Sequence, residues 1–310
     1  MTSAEEPNTT TLGAGPQDPE ELEATAPDAT AEISAQTTLG AVHLTVSDLA
    51  RSLEYYRHGV GLSVLEEAGG RASLGAGDRE LLVLVEEAGA RPAFGHTGLY
   101  HFALVVPRRV DLARWLTHAA RDRVQLTGVA DHFVSEALYL SDPDGHGIEI
   151  YWDRPRDVWE GQVGARLTTQ PLDVDGLLAE VGAAEPGGFE GLPAGTIMGH
   201  VHLKVAEVRS TIEFYRDVLG FALMAQLGAQ AAFLAAGGYH HHFGANTWES
   251  AGASPPLPGS AALRHATIVL PDSKERDRVL GRVRASPARD TPDGPVVSDP
   301  SGNALLLAIP

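Results

Sequence analysis

The sequence predicts an α+β protein made of four β-α-β-β-β modules that pair into two domains. The first observation behind this prediction is an internal repeat at a constant offset of 159. Residues 40–46 (GAVHLTV) return as residues 199–205 (GHVHLKV), and residues 51–57 (RSLEYYR) return as residues 210–216 (STIEFYR). Repeats of this length are whole folded modules and not solenoid units.

A second pair of matches links the later parts of the two halves. Residues 99–105 (LYHFALV) resemble residues 263–269 (LRHATIV), and residues 141–146 (SDPDGH) resemble residues 298–303 (SDPSGN). Each half of the chain therefore contains two modules, which are numbered one to four along the chain.

The elements of module one follow from its side-chain pattern. Residues 41–46 alternate as a strand does, and the helix that follows is capped by Ser47 or Asp48. Two further strands, at residues 71–74 and 81–85, are joined by a glycine-rich turn.

Module two has the same order of elements. We predict a strand at residues 100–106, a helix at 110–120, a short strand at 124–126, and two final strands at 136–140 and 148–152. The final strands are joined by Ser-Asp-Pro-Asp-Gly, in which Pro fixes φ and Gly tolerates a positive φ.

These modules predict four segments. Residues 1–36 carry eight acidic residues and no Lys or Arg, with too few large apolar side chains to offset the entropy of ordering, so we expect a disordered acidic tail. The other segments are an N-terminal domain of modules one and two that holds the metal site (37–155), a linker with a short helix near 174–181 (156–196), and a C-terminal domain of modules three and four (197–310).

Composition narrows the class of protein. The chain has 310 residues, no cysteine and a formal net charge of −18. Disulfides and thiolate metal sites are therefore excluded, and nucleic acid and anionic membranes are not expected as partners. No apolar run is long enough to span a membrane and no signal peptide is visible, so we expect a cytoplasmic protein.

Three side chains on strands suggest a metal site. His43 and His101 occupy equivalent places on the first strands of modules one and two, and Glu149 lies between two isoleucines on the last strand of module two. Two imidazoles and one carboxylate bind one face of a metal in non-haem iron oxygenases. The residues alone do not choose among Fe(II), Mn(II) and Zn(II). The alternative is that the histidines are hydrogen-bonded core residues and Glu149 faces water.

With the paired modules, these residues resemble the vicinal oxygen chelate superfamily of glyoxalases, bleomycin resistance proteins and extradiol dioxygenases. Residues 130–149 resemble the signature of type I extradiol dioxygenases, in the two-domain catechol 2,3-dioxygenase branch. The matching positions are His132, Leu138-Tyr139, Asp142-Pro143, Gly145 and Glu149. Ala130 departs from the signature, which usually has Gly, Asn, Thr or a β-branched aliphatic residue there.

The resemblance implies a role for each matching residue. His43, His101 and Glu149 would bind Fe(II), with Mn(II) as the alternative metal. His132 would be the acid–base residue that handles the catechol proton, and Tyr139 would hydrogen-bond to the bound substrate oxygen. The implied substrates are a small aromatic diol and O2, and a homo-oligomer is left open.

The predicted C-terminal domain keeps only part of this set. His202 and His265 are present, but Leu306 stands where module two has Glu149. His240, His241 and His242 fall on a predicted strand. With His202 they would form a second site, or would help to shape the first one if modules two and three face each other. The alternative is that they are polar strand residues that serve only as hydrogen-bonding groups.

Two other functions are compatible with the paired modules. A glyoxalase-type metal isomerase would need a fourth ligand on the last strand of module one, where residues 81–85 are aliphatic and glutamates lie only at the edges. A metal-free protein that binds a drug or aromatic ligand would give His43, His101 and Glu149 no reason to coexist.

Overall fold

The computed structural model describes residues 23–24, 32–183, 188–283 and 288–310. Its first elements are β1 (Glu23–Ala24) and module one, which consists of β2 (Thr38–Val46), α1 (Leu49–Glu54) continued by a π-helix (Tyr55–Val60), β3 (Ser63–Ala68), β4 (Arg71–Ala76) and β5 (Arg79–Glu86). After β6 (Arg91–Pro92), module two consists of β7 (Gly98–Val105), α2 (Arg109–Asp122), β8 (Leu126–Asp131), β9 (Ser135–Ser141) and β10 (Gly147–Asp153).

The second half begins with the linker helices α3 (Arg156–Trp159), α4 (Val163–Arg166) and α5 (Val174–Ala183). Module three consists of β11 (Ile197–Lys204), α6 (Val208–Ile212) continued by a π-helix (Glu213–Leu219), β12 (Ala222–Leu227), β13 (Ala231–Ala235) and β14 (Phe243–Asn246). After β15 (Ser260–Ala261), module four consists of β16 (Leu263–Val269), α7 (Ser273–Leu280), β17 (Arg289–Thr291), β18 (Gly294–Ser298) and β19 (Ala304–Ala308).

The modules form two mixed sheets within the described residues. The first sheet has the strand order β1-β12-β13-β14-β11-β7-β10-β9-β8, and the second has the order β17-β18-β19-β16-β2-β5-β4-β3. In each sheet two modules meet through their first strands, which pair antiparallel: β11 with β7, and β16 with β2. The predicted α+β architecture of four modules in two paired units is confirmed.

The partners within each pair differ from the prediction. Modules two and three share the first sheet, and modules one and four share the second. Each module can pair through the backbone of its first strand, so backbone hydrogen bonds alone do not decide which modules pair. Side-chain contacts that are particular to each pair are needed. In the second sheet Thr267 donates a hydrogen bond of 2.7 Å to the Ala41 carbonyl. In the first sheet Tyr239 and His240 of module three both hydrogen-bond to Asp153 of module two.

Helix α1 shows how local sequence sets an element. Asp48 is its N-cap, and its carboxylate accepts a hydrogen bond from the Arg51 amide. Leu49 and Leu53 are buried on one face of this helix. They belong to an apolar cluster that contains residues of both sheets, so the helices and the two sheets share one core.

The predicted tail and linker are only partly as expected. Residues 1–22 and 25–31 of the tail lie outside the described residues. Residues 32–36 do not fit a disordered tail, because Ile33 is buried in the core and its amide donates to the Gly220 carbonyl. The predicted linker helix is present as α5, and the linker has two additional short helices, α3 and α4. No described helix is both long and apolar enough to cross a bilayer.

Candidate metal centre

Three side chains of the first sheet bring one donor atom each to a common point. Glu149 Oε2 lies 3.1 Å from His101 Nε2 and 3.0 Å from His200 Nε2, and the two imidazole nitrogens are 3.3 Å apart. All three residues are buried. Adjacent donors of a six-coordinate metal with bonds of about 2.1 Å lie about 3 Å apart, so the triangle has the size that a metal would need.

Strand register produces this triangle. Tyr139, Glu149, Ala103 and His200 are level with one another on the adjacent strands β9, β10, β7 and β11. His101 lies two residues before Ala103 and therefore on the same face of β7. Ala103 has only a methyl group, so it leaves the space between Glu149 and His200 open.

A bulge adjusts the position of His200. Met198 pairs with Leu104 and His200 pairs with Ala103, so Gly199 is the extra residue on β11. A Cβ atom at residue 199 would overlap the Tyr151 hydroxyl. Glycine is therefore required where β11 passes module two, next to the candidate ligand.

The protonation states suit a divalent cation. Burial acts to raise the pKa of Glu149, but His200 and His101 outweigh it and hold that pKa well below its ordinary value. Burial lowers the pKa of His200, and Glu149 offsets this only partly. An ionised carboxylate and neutral imidazoles are the forms that bind metals. The donor set therefore fits a metal.

His132 and Tyr139 form a hydrogen-bonded pair beside the triangle. His132 Nδ1 lies 2.8 Å from the Thr168 carbonyl, and His132 Nε2 lies 2.7 Å from the Tyr139 hydroxyl. A carbonyl only accepts, so Nδ1 carries the proton, and in the neutral ring Nε2 accepts from Tyr139. The linker residue Thr168 thus fixes the tautomer of His132.

A second chain of hydrogen bonds reaches the triangle from the opposite side. Asp153 Oδ1 lies 2.9 Å from His240 Nε2, and His240 Nδ1 lies 2.8 Å from His241 Nδ1. The carboxylate only accepts, so His240 donates from Nε2 and accepts at Nδ1, and His241 must donate from its own Nδ1. This leaves His241 Nε2 unprotonated, in a ring whose centroid is 4.1 Å from that of His200.

The environment keeps His241 in this neutral form. Burial lowers its pKa well below the ordinary value, and neighbouring histidines lower it further, His200 most strongly. Among the residues that the structure describes, His241 Nε2 makes no hydrogen bond. His241 therefore presents an unprotonated ring nitrogen next to the triangle.

The three candidate ligands, the His132–Tyr139 pair and His241 line one cavity of about 560 Å³. Its walls come from modules two and three, from linker residues 167–169, and from Phe94 and Trp248. A cavity of this size accommodates a substituted aromatic ring. Because Tyr139 and His200 lie on opposite sides of Glu149, a ring held at the triangle would have the His132–Tyr139 pair on one side and His241 on the other.

The structure does not bring all the predicted ligands together. His101 and Glu149 meet as predicted, but the third member of the group is His200 and not His43. His43 lies in the second sheet, where its ring stacks on His265 with centroids 3.9 Å apart. The reason is the module pairing, which places His43 on a different sheet from Glu149.

The second sheet has lost the other donors of such a site. The position that matches Glu149 is Leu306, which pairs with Thr267 as Glu149 pairs with Ala103. Burial, followed by His265 and nearby arginines, lowers the pKa of His43 to about 3. His43 and His265 therefore form a neutral stacked pair without a carboxylate ligand.

The histidines that were candidates for a second metal site, His202 and His240–His242, do not converge on one. His202 Nε2 accepts a hydrogen bond of 3.0 Å from the side-chain amide of Asn246. His242 Nδ1 accepts one of 3.1 Å from the backbone N–H of Ala236. His240–His242 lie in the loop before β14 and not on the predicted strand. Across the described residues, His101, Glu149 and His200 are the only group that could hold a metal. The described residues therefore form no second metal site around His202.

Sequence reasoning missed His200 and the role of the linker. His200 sits at the position that matches Ala41 in module one, so the repeat itself gave no signal for it. The signal available was the alternative that modules two and three face each other. Under that alternative both His200 and His202 lie on the site face of β11, and only the strand register selects His200.

Comparisons with known proteins agree with this architecture. The model of the Glyoxalase/Bleomycin resistance protein/Dioxygenase superfamily matches residues 38–150 and 197–307. A protein of Bacillus subtilis (strain 168) named catechol-2,3-dioxygenase is 39% identical over 285 residues, covering 89% of this chain and 99% of that protein.

Two solved structures share the fold at low identity. A putative dioxygenase from Bacillus subtilis subsp. subtilis str. 168 has a TM-score of 0.60 at 15% identity, covering 90% of this chain and 86% of its own. Glyoxalase I from Zea mays has a TM-score of 0.54 at 16% identity, covering 88% of this chain and 92% of its own. These structures support the fold alone.

Proposed function

The chain belongs to the glyoxalase/bleomycin resistance protein/dioxygenase superfamily, and from this premise we propose that it is an extradiol dioxygenase that opens a catechol-type ring with O2. The observation that carries the proposal is the buried group of His101, Glu149 and His200 in the wall of a cavity that fits an aromatic ring. The B. subtilis relative named catechol-2,3-dioxygenase supports the same reaction class.

We propose that His101 Nε2, Glu149 Oε2 and His200 Nε2 hold Fe(II), with Mn(II) as the alternative. When bound, such a metal supplies Lewis acidity that lowers the pKa of a phenol and open positions at which a diol and O2 can meet. The protein contributes the positioning of both reactants and the movement of protons.

His241 is the proposed base for the diol. Its Nε2 is unprotonated because Asp153 fixes the tautomers of His240 and His241 in turn. A diol hydroxyl that lies against His241 Nε2 can transfer its proton there.

His132 and Tyr139 are proposed to act on the other side of the ring. The Tyr139 hydroxyl can turn from His132 to a substrate oxygen, because a hydroxyl rotates to suit its partners. His132 Nε2 can then accept or return a proton, while Nδ1 stays on the Thr168 carbonyl. The two sides of the cavity thus handle protons separately.

The rival functions fit the site less well. A glyoxalase-type isomerase would need a fourth protein ligand, and in the part of the chain that the structure describes the group has three members. A metal-free binding protein gives no account of a buried carboxylate that is held by two imidazoles.

The proposal is tested by the reaction itself. The purified protein is loaded with Fe(II) without oxygen and then mixed with a panel of catechols and O2. Ring opening next to the diol gives a yellow semialdehyde, whose appearance should match oxygen uptake one for one. Oxygen uptake without a yellow product, or no uptake with any catechol at full iron occupancy, would contradict the proposal.

A further inference from the structure

One cationic side chain lies in the cavity wall and has no role in the chemistry described above. Only two of the 23 basic residues are lysines, Lys204 and Lys274. Lys204 is the last residue of β11, the strand that carries His200, and its side chain is only 11% exposed. It lines the same cavity as the three candidate ligands. A cationic side chain is rarely this buried without a partner.

The protein offers this ammonium group little compensation. Among the described residues its Nζ makes no hydrogen bond, and its ion-pair partner is Glu249, whose Oε2 is 3.9 Å away. The Glu249 side chain is 59% exposed, so solvent screens this interaction. Burial lowers the pKa of Lys204, and Glu249 offsets that effect only in part. A buried cation with so weak a partner is stabilised when a desolvated anion binds to it.

The position of Lys204 on β11 determines which part of a bound diol substrate would lie near its ammonium group. Residues 200, 202 and 204 alternate onto the same face of the strand, and the Cα atoms of residues 200 and 204 are separated by roughly 13 Å. A ring whose diol lies at His200 would point its far side along β11 toward Lys204. Aromatic side chains, Tyr100 and Trp248, line the cavity between these ends.

We propose that Lys204 binds an anionic group, a carboxylate on a short apolar spacer, carried by the ring of the diol substrate. This inference rests on the proposed function and narrows its substrate class from catechols in general to aromatic diols with an acidic side chain. When no substrate is bound, the Glu249 carboxylate is the ion-pair partner of the Lys204 ammonium group. The substrate carboxylate replaces Glu249 as this partner when it binds.

The test compares acids with neutral analogues of the same size. 3,4-Dihydroxybenzoate, 3,4-dihydroxyphenylacetate and 3-(3,4-dihydroxyphenyl)propionate are each paired with the corresponding primary amide, and kcat/KM is measured for both members of each pair. We expect the acid-to-amide ratio to reach tenfold or more for at least one spacer length. In Lys204→Met that ratio should fall to about one, and in Glu249→Gln it should rise because the competing carboxylate is removed.

Lys274 supplies the matched control, because it is the other lysine and lies on α7 of module four. Lys274→Met should keep the wild-type ratio. Ratios at or below one for all three pairs in the wild type, or a wild-type ratio that Lys204→Met leaves unchanged, would overturn the proposal. The opposite response of Glu249→Gln keeps the test decisive if Lys204→Met folds poorly.

A binding measurement separates this inference from the proposed reaction. 3-Phenylpropionate and 3-phenylpropionamide lack the diol, so their binding is measured by calorimetry without turnover. Tighter binding of the acid that is lost in Lys204→Met supports the anion site even if no catechol is cleaved. Equal binding of acid and amide to the wild type counts against the anion site even if catechol itself is cleaved.

Discussion

At the scale of single residues, the candidate site depends on which ring nitrogen of each histidine carries the proton. Thr168 fixes His132 through a backbone carbonyl, and Asp153 fixes His241 through His240. Both controlling groups are acceptors that cannot donate, so each imposes one tautomer on its chain of partners. The proton positions on His132 and His241 are thus determined by their hydrogen-bond partners.

Replacing Asp153 by Asn should reverse the tautomers. The Asn amide can donate to His240 Nε2, which lets His240 donate to His241 Nδ1 and places the proton of His241 on Nε2. We expect kcat for ring opening to fall roughly 100-fold or more, because the base is blocked. The measurement is single-turnover kinetics at matched iron content.

Tyr239→Phe is the control for this change, because the Tyr239 hydroxyl binds the other carboxylate oxygen of Asp153 and does not touch His240 Nε2. Its effect on kcat should be several-fold at most. If Asp153→Asn lost no more activity than Tyr239→Phe, His241 would not be the base that Asp153 controls.

The residue types on the predicted strands identify two of the three candidate metal ligands, but not the third. The isolated carboxylate of Glu149 and the histidine at His101 stand out in apolar strands, and the structure brings them together. His200 does not stand out, because its repeat partner is Ala41 and it is two residues from the more conspicuous His202. The choice between the two depends on a bulge at Gly199, which a sequence pattern does not reveal.

At the scale of elements, four adjacent strands act as a frame that sets distances between site residues. Tyr139, Glu149, Ala103 and His200 lie level across β9, β10, β7 and β11. Side chains at level positions are neighbours on one face of the sheet. The small side chain of Ala103 therefore keeps open the space between Glu149 and His200.

Ala103→Thr should disturb this row in a defined way. Thr267 is the residue at the matching position of the second sheet, and it pairs with Leu306 and not with a carboxylate. The larger side chain would occupy the space between Glu149 and His200, and overpacking a buried site costs about 1–3 kcal/mol. We expect at least a tenfold weaker affinity for Fe(II), measured by anaerobic titration.

Ala232 provides a matched control for Ala103→Thr, because it is fully buried on β13 of the same sheet and is not part of the ligand row. Ala232→Thr should lower the thermal stability by a similar amount but leave the affinity for Fe(II) unchanged. An Ala103→Thr protein that bound Fe(II) as tightly as the wild type would show that the row does not set the ligand spacing.

At the scale of the whole molecule, one repeated module builds two sheets, and among the described residues only the first of them has a complete donor group. The first sheet combines modules two and three and holds His101, Glu149 and His200. The second combines modules one and four, where His43 stacks on His265 and Leu306 replaces the carboxylate.

Sequence patterns were sufficient for the modules but not for their pairing. Strand alternation, the cap at Asp48 and the repeat offset are local or periodic, so they predict each module. Pairing depends on contacts between distant residues, such as Thr267 with Ala41, and all four modules have the same pattern at the edge that pairs. The prediction of His43 as a ligand requires modules one and two to share a sheet, whereas the structure places His43 in a different sheet from His101 and Glu149.

The central claim is that the metal lies between modules two and three, and the iron bound after anaerobic loading tests it most directly. His200→Ala and His43→Ala are compared with the wild type by iron analysis after gel filtration, with circular dichroism to confirm folding. We predict about one iron per chain in the wild type and in His43→Ala, and close to none in His200→Ala. Loss of iron in His43→Ala with full retention in His200→Ala would contradict the claim.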